Sequence, residues 1–434
     1  MRTVRKKDII IMVFVILIIF VTLSGNGFFS LRRRECIYIL GAMAAYYGIS
    51  IYRRRTEVKY ILPLVYLTVS LWTTTSFNNT LAYLLIYLSG ILLIYSQMID
   101  DKVVDAIIKA FEWVGIANAV AIVLSPLVPN VVATIVGIIY YPPSPMGSIS
   151  RTLSNINRGI YYGFCGEKSL AAFVMAIALI VYISEFFHFR KLSRGKWISS
   201  IILLIAIMMT GKRMEFLVPI ICFLCFFLLT KRKGKGLKFI AVLLIGAIAI
   251  YLLPIFVPQA ELVLERFQDS GADSFATGRE VLWEYAMDMF RENRLFGTGY
   301  GSYNEIVNMR GFNSPTGEDL WGYHAHSIYF QLLGECGIIG CICWGITYLW
   351  TLIKGLRNIY KSSEVIPLNL LISVGMLMMI LIYGLSGNTL YEISQLYLSF
   401  LTLAIYRKYE MDNRLIINGD EPYENKKSRN NNIS

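Results

Sequence analysis

Charge is scarce in this sequence. Only 16% of its 434 residues are Asp, Glu, Lys or Arg, against 56% hydrophobic and 14% aromatic, and a single water-soluble core could not bury so much apolar surface. Alternating apolar and polar stretches of about ten residues are also lacking, which argues against a β-barrel. Apolar runs of roughly 17 to 25 residues recur instead, the length with which an α-helix crosses about 30 Å of hydrocarbon. The expected fold is all-α, a polytopic membrane helical bundle.

Histidine is rarer still, at three residues: His188, His324 and His326. A His-rich metal site is therefore not expected, and His324 and His326, two apart, would point in different directions on a helix. Six of the seven cysteines sit within or beside apolar runs. The pair Cys222 and Cys225 has no second ligand pair for zinc, so buried thiols are the expected reading. The net charge of +12 is spread over loop ends and not gathered into an aromatic-rich patch; this favours anionic lipid over nucleic acid as the partner. No internal repeat is visible. Neither a cofactor nor a metal is expected.

Breaks between apolar runs divide the chain into about twelve spans, near residues 9–24, 36–52, 60–76, 80–97, 104–128, 169–187, 197–210, 215–230, 239–256, 326–353, 366–384 and 389–406. No small-residue cleavage site follows the first, so it reads as a retained span. Most basic clusters, among them Arg53–Arg55, Arg190 to Lys196, Lys231 to Lys235 and Arg407–Lys408, then share one side, which the positive-inside rule makes cytoplasmic, with both termini. Arg32–Arg34 fall on the other side and conflict with this count by one pair of spans. Residues 1–410 read as one membrane domain. Residues 411–434 read as a polar, disordered cytoplasmic tail.

The polar material gathers on the outer face. Residues 257–325, between the ninth and tenth spans, form a large external loop with eleven Asp and Glu against five Arg and no Lys. A second external stretch, 141–168, contains Arg151 and Arg158, and the apolar piece just before it, from Val131 to Tyr141, is too short to cross. Loops of such length are more often functional than idle.

Three charged positions stand out. The seventh and eighth spans are short, so their connection, Gly211 to Glu215, should be recessed, and Lys212 and Arg213 would then mark a substrate path; an Arg213 that snorkels to the headgroups accounts for the same residues equally well. Thr277-Gly278-Arg279-Glu280 reads as a capping box opening a helix whose apolar residues include Leu282, Trp283, Ala286, Met287 and Phe290. Arg279 lies in its first turn, where an anion is favoured; a surface arginine on an interfacial helix is the simpler alternative. The glycine run at 297–304 lacks the Lys-Ser/Thr of a P-loop and reads as a helix stop and turn. Third, His326 begins a run in which a polar cluster feeds directly into an apolar span.

His326-Ser327, nine residues and Gly337 resemble the signature of the O-antigen ligase and O-antigen polymerase family of bacterial membrane glycosyltransferases. Thr210-Gly211-Lys212-Arg213 resembles the family's T-G-S-R element, the segment from Gly278 to Asn304 resembles the part of its large external loop that leads to the signature, and residues 163–173 are more loosely similar to a stretch before the next span. The likeness covers roughly residues 150–345. It implies an inverting, metal-independent transfer on the outer face of the cytoplasmic membrane: an acceptor sugar hydroxyl displaces undecaprenyl diphosphate from a lipid-linked glycan. His326 would then be the general base, with Arg213 and Arg279 holding the diphosphate. His324, Glu335, Arg151, Arg158 and Lys212 are further substrate-binding candidates. Flippase and chain-length regulator proteins are the expected partners, beside membrane lipid. The Ile-, Lys- and Asn-rich composition resembles that of low-GC bacteria, many of which lack lipid A, so polymerisation of capsular or exopolysaccharide repeat units is favoured. Transfer of a finished glycan to a lipid or protein acceptor is the alternative, and a bicarbonate or solute transporter the rival from another class.

Overall fold

A computed structural model describes residues 6–23, 33–49, 58–140, 145–230, 279–309, 324–362 and 365–417. These residues are helical, without a strand beyond one isolated bridge between Ile49 and Ser96. In chain order the helices are α1 (Lys6–Leu23), α2 (Arg33–Tyr46), α3 (Leu62–Ser70), α4 (Phe77–Tyr95), α5 (Asp101–Leu124), α6 (Pro129–Tyr140), α7 (Pro145–Asn157), α8 (Lys168–Phe189), α9 (Arg194–Met209), α10 (Arg213–Leu229), α11 (Arg279–Glu292), α12 (Tyr303–Met309), α13 (Ile328–Trp344), α14 (Trp350–Lys361), α15 (Leu368–Tyr383) and α16 (Ile393–Ile417). One π-helical turn, Gly345–Leu349, joins α13 to α14.

Among the described residues, four stretches are long and apolar enough to cross a membrane: Phe77–Tyr95, Asp101–Leu124, Lys168–Phe189 and Ile328–Lys361. Eleven of the twelve expected runs fall on helices, while the run at 239–256, Thr277, Gly278 and most of the loop 257–325 lie outside the described residues. The short apolar piece is also a helix, α6, packed on α7. Helix α16 continues past Met411 to Ile417, and Lys408 pairs with Asp412 at 2.9 Å and with Asp101 at 2.7 Å.

The helices begin and end where local chemistry dictates. The Asp100 carboxylate caps α5 by accepting from Val103 N at 2.9 Å, and the Ser193 hydroxyl caps α9 by accepting from Lys196 N at 3.3 Å. At the centre lies α8, buried without a break from Leu170 to Tyr182. Between apolar helices there is little hydrophobic drive in lipid, so association depends on close packing through small residues. A Cβ on Gly375 of α15 would come 2.5 Å from Ile180 of α8, and one on Gly115 of α5 would come 2.5 Å from Ala178. The bundle also pairs its internal charges: Lys59 and Lys354 reach the Glu410 carboxylate at 3.5 and 2.5 Å, and Lys196 lies between Glu112 and Glu185 at 2.7 and 2.5 Å. Large apolar side chains such as Trp72, Trp113 and Leu127 are exposed on the outside, where lipid would cover them.

Candidate functional site

At one end of the bundle, the start of α8, the end of α9 and start of α10, the start of α13, the end of α15 and the start of α16 come together. The alternation of starts and ends follows from antiparallel neighbours. Between them lies a cavity of about 140 Å³ lined by Glu167, Ser169, Leu170, Lys212, Arg279, His326, Tyr383, Ser386, Gly387, Asn388, Glu392, Ser394 and Gln395. Apart from Leu170, Gly387 and the ring of Tyr383, this is a wall of charges, hydroxyls and amides.

Arg279 reaches the cavity because α11 lies along α13 and runs in the same direction. Trp283 stacks on Phe330, with ring centroids 5.0 Å apart and planes at 14°. Four residues further on, Gly334 allows backbone contact, since a Cβ there would stand 2.6 Å from the Ala286 carbonyl oxygen. The amides of Ile338 and Ile339 donate to the carbonyls of Arg294 and Leu295 at 2.9 and 3.1 Å. Carried back toward the starts of both helices, this register sets Arg279 opposite His326.

His326 has a strained backbone. With φ at 50° it is one of two non-glycine residues at positive φ among the described residues, a conformation that persists only where its surroundings enforce it and that clusters at functional sites. The next residue, Ser327, is the N-cap of α13, so the imidazole sits in the loop just ahead of the span. Burial, first, and then the charge of Arg279, the neighbouring His324 and the charge of Lys212 hold its pKa down at about 4. The ring is therefore neutral near pH 7.

Lys212 reaches the cavity through a tight reversal. Gly211, at φ 70°, ends α9; its amide donates to Met208 O at 2.9 Å, and Lys212 N donates to the Thr210 hydroxyl at 3.3 Å. Arg213, the first residue of α10, is half-buried beside it and is not among the residues that line the cavity, whereas Lys212 is. Helices α9 and α10 have 16 and 17 residues, about 24 and 26 Å, short of the hydrocarbon thickness as the sequence suggests. Behind Lys212 the Glu215 carboxyl is only 1% exposed.

The rest of the signature is architectural. Gly337, at φ 60° and ψ −165°, breaks α13, and this break presents the amides of Ile338 and Ile339 to the α11 end. A Cβ on Gly337 would lie 2.6 Å from the Leu295 carbonyl. Two residues earlier, the buried Glu335 carboxylate accepts from Gly301 N and Tyr303 N, both at 2.8 Å, and from Gln331 Nε2 at 3.2 Å. The glycine run is thus more than a helix stop. It is clamped between α13 and the turn before α4, where Thr75 N donates to Thr298 O at 3.1 Å and the Thr80 hydroxyl donates to Tyr300 O at 2.9 Å.

Of the residues singled out in the sequence, Lys212, Arg279 and His326 share the cavity. His324 instead faces Gln331, Nδ1 to Nε2 at 3.3 Å, and burial lowers its pKa. Glu335 orients the glycine run. Arg151 and Arg158 are exposed at α7 and do not line the cavity. Sequence reasoning missed the stretch from Tyr383 to Gln395. Its signal was a polar patch, Ser386-Gly387-Asn388 and Glu392, caught between two apolar runs.

Residues 198–345 match a family model described as O-antigen ligase. Over 156 residues the chain is 27% identical to the exopolysaccharide production protein ExoQ of Rhizobium meliloti (strain 1021), an alignment covering 34% of this chain and 34% of that protein. The likeness therefore spans about a third of the relative's length.

Proposed function

We infer that this chain, which matches the O-antigen ligase family over residues 198–345, is a membrane glycosyltransferase of polysaccharide assembly that acts on glycans carried by undecaprenyl diphosphate. The observation that carries this reading is the meeting of Lys212, Arg279 and His326, from three separated segments, at one cavity. The acceptor hydroxyl oxygen attacks the anomeric carbon, its proton passes to His326, and the bond from that carbon to the phosphate oxygen breaks, releasing undecaprenyl diphosphate with inversion. Lys212 and Arg279 stabilise the charge that grows on the departing phosphate, and Arg213 supports them from the start of α10.

The charges also set the timing. In the empty site Arg279 and Lys212 help to keep His326 a weak base. A bound diphosphate neutralises them and raises the imidazole pKa toward the value at which it accepts a proton well. The base is strongest when the donor is in place.

Repeat-unit polymerisation is the favoured reaction, in a twelve-span topology with both termini cytoplasmic and the cavity on the outer face of the cytoplasmic membrane. The large loop between the ninth and tenth spans supplies Arg279, and flippase and chain-length regulator proteins are the partners such a reaction needs. The His326→Ala variant tests this in cells. A polymerase predicts loss of polymer with build-up of lipid-linked single repeats. Build-up of long lipid-linked chains would make it a ligase, and no lipid-linked intermediate at all would point to a transporter.

A further inference from the structure

The cavity has two chemically different walls. One is cationic, with Lys212 and Arg279; the other, formed by the turn from α15 into α16, consists of uncharged amides and hydroxyls with a carboxylate at its edge. In that second wall Asn388 and Gln395 are 7% and 5% exposed, yet Asn388 Oδ1 and Gln395 Oε1 have no hydrogen-bond partner among the described residues. A buried amide oxygen left unpaired is unfavourable, and native structures retain few of them. Two on one cavity wall point to a ligand that supplies hydroxyl donors.

The wall is rigid and in fixed register with the base. The Asn388 carbonyl accepts from the amides of Tyr391 and Glu392 at 2.8 and 2.9 Å, and the Thr389 hydroxyl donates to Ile380 O at 2.9 Å. Gly387 permits the turn to lie on Tyr383, whose ring a Cβ would meet at 2.7 Å. Ile328 N, two residues past His326, donates to Gly384 O at 2.9 Å. The distance from amide wall to imidazole is thus set by backbone, not by flexible side chains.

We propose that the turn between α15 and α16 is a sugar-recognition subsite, in which Asn388 and Gln395 select a neutral, hydroxyl-rich pyranose unit of the substrate; this rests on the glycosyl-transfer reading above. Amides offer both donor and acceptor without charge, which suits vicinal hydroxyls. Glu167 and Glu392 line the same space and, once a diphosphate occupies Lys212 and Arg279, disfavour a uronic acid there by like-charge repulsion. At about 140 Å³ the cavity is far smaller than pockets that take drug-sized ligands, so the glycan beyond the sugar it contacts extends outward.

The experiment uses the full-length protein in lipid nanodiscs, with saturation-transfer NMR of the methyl glycosides of glucose, galactose, mannose and N-acetylglucosamine, methyl glucuronoside, and phosphorus NMR of inorganic pyrophosphate. With pyrophosphate saturating Lys212 and Arg279, at least one neutral glycoside should bind more tightly than the glucuronoside. Its affinity should fall about fivefold in Gln395→Met and in Asn388→Leu, as expected for one lost hydrogen bond, while pyrophosphate affinity is unchanged. Gln395→Met, close in size and shape, carries the test should Asn388→Leu not fold. Unchanged glycoside affinity in Gln395→Met, or a glucuronoside bound as tightly as any neutral glycoside, overturns the proposal. If wild type binds pyrophosphate through Arg279 but no glycoside, the subsite falls and the transferase reading stands; if it binds neither, both fall.

Discussion

The N-terminal end of α13 and its middle carry parts of the same signature and do different work. At the start, His326 faces a cavity with Lys212 and Arg279 and is held in a strained conformation. In the middle, Gly337 and Glu335 do not line that cavity; they receive backbone from the α11 end and from the glycine run. A sequence signature can thus join a reacting group to the architecture that aims it. Substitutions in the first region should remove activity and leave the fold, and those in the second should do the reverse.

The largest effect is expected at His326. His326→Ala should lower glycan transfer by about 10² to 10⁴-fold, the usual worth of a positioned base, with the unfolding midpoint hardly moved; an equal loss of folded protein would erase the distinction between the two regions. Next comes Gly337→Ala. Its Cβ meets the Leu295 backbone at 2.6 Å from a left-handed conformation, so a destabilisation of about 2–4 kcal/mol is expected, read as a fall in the denaturant midpoint.

Arg279→Gln sharpens the comparison within the cavity. Transfer should fall about 10- to 100-fold through lost stabilisation of the leaving group. The substitution also removes one of the charges that depress His326, so the imidazole pKa should rise above about 4, although burial, the larger cause, remains. A protonated imidazole cannot accept the acceptor's proton, so the acid limb of the pH–rate profile should move to higher pH. A limb that stays in place would separate Arg279 from His326. The smallest effects are expected at Arg151, exposed on α7, and at Arg158, exposed in the turn after it: their alanine variants should keep transfer within about twofold, as surface substitutions do.

Much of this was legible in the sequence because charge is rare in it. Against long apolar runs, Lys212, Arg279 and His326 stand out; the helices beside Lys212 and His326 follow from the runs themselves, and that of Arg279 from the apolar spacing after it. Arg213 was singled out ahead of Lys212 because sequence does not reveal which of two adjacent cations a tight turn directs into the cavity. Asn388 and Gln395 were not legible, since amides near helix ends are ordinary and their meaning lies in what the fold brings opposite them. The role of Gly337 was hidden for another reason. What it approaches is the backbone of Arg294 and Leu295, which leaves no trace in side-chain identity.

The most direct test of one shared diphosphate site is an NMR titration of the His326 imidazole, in full-length protein, with and without inorganic pyrophosphate. The pKa should be near 4 in the empty site and should rise when the anion binds, because the bound charge favours the imidazolium; the rise should shrink in Arg279→Gln. A His326 pKa indifferent to saturating pyrophosphate would contradict the account.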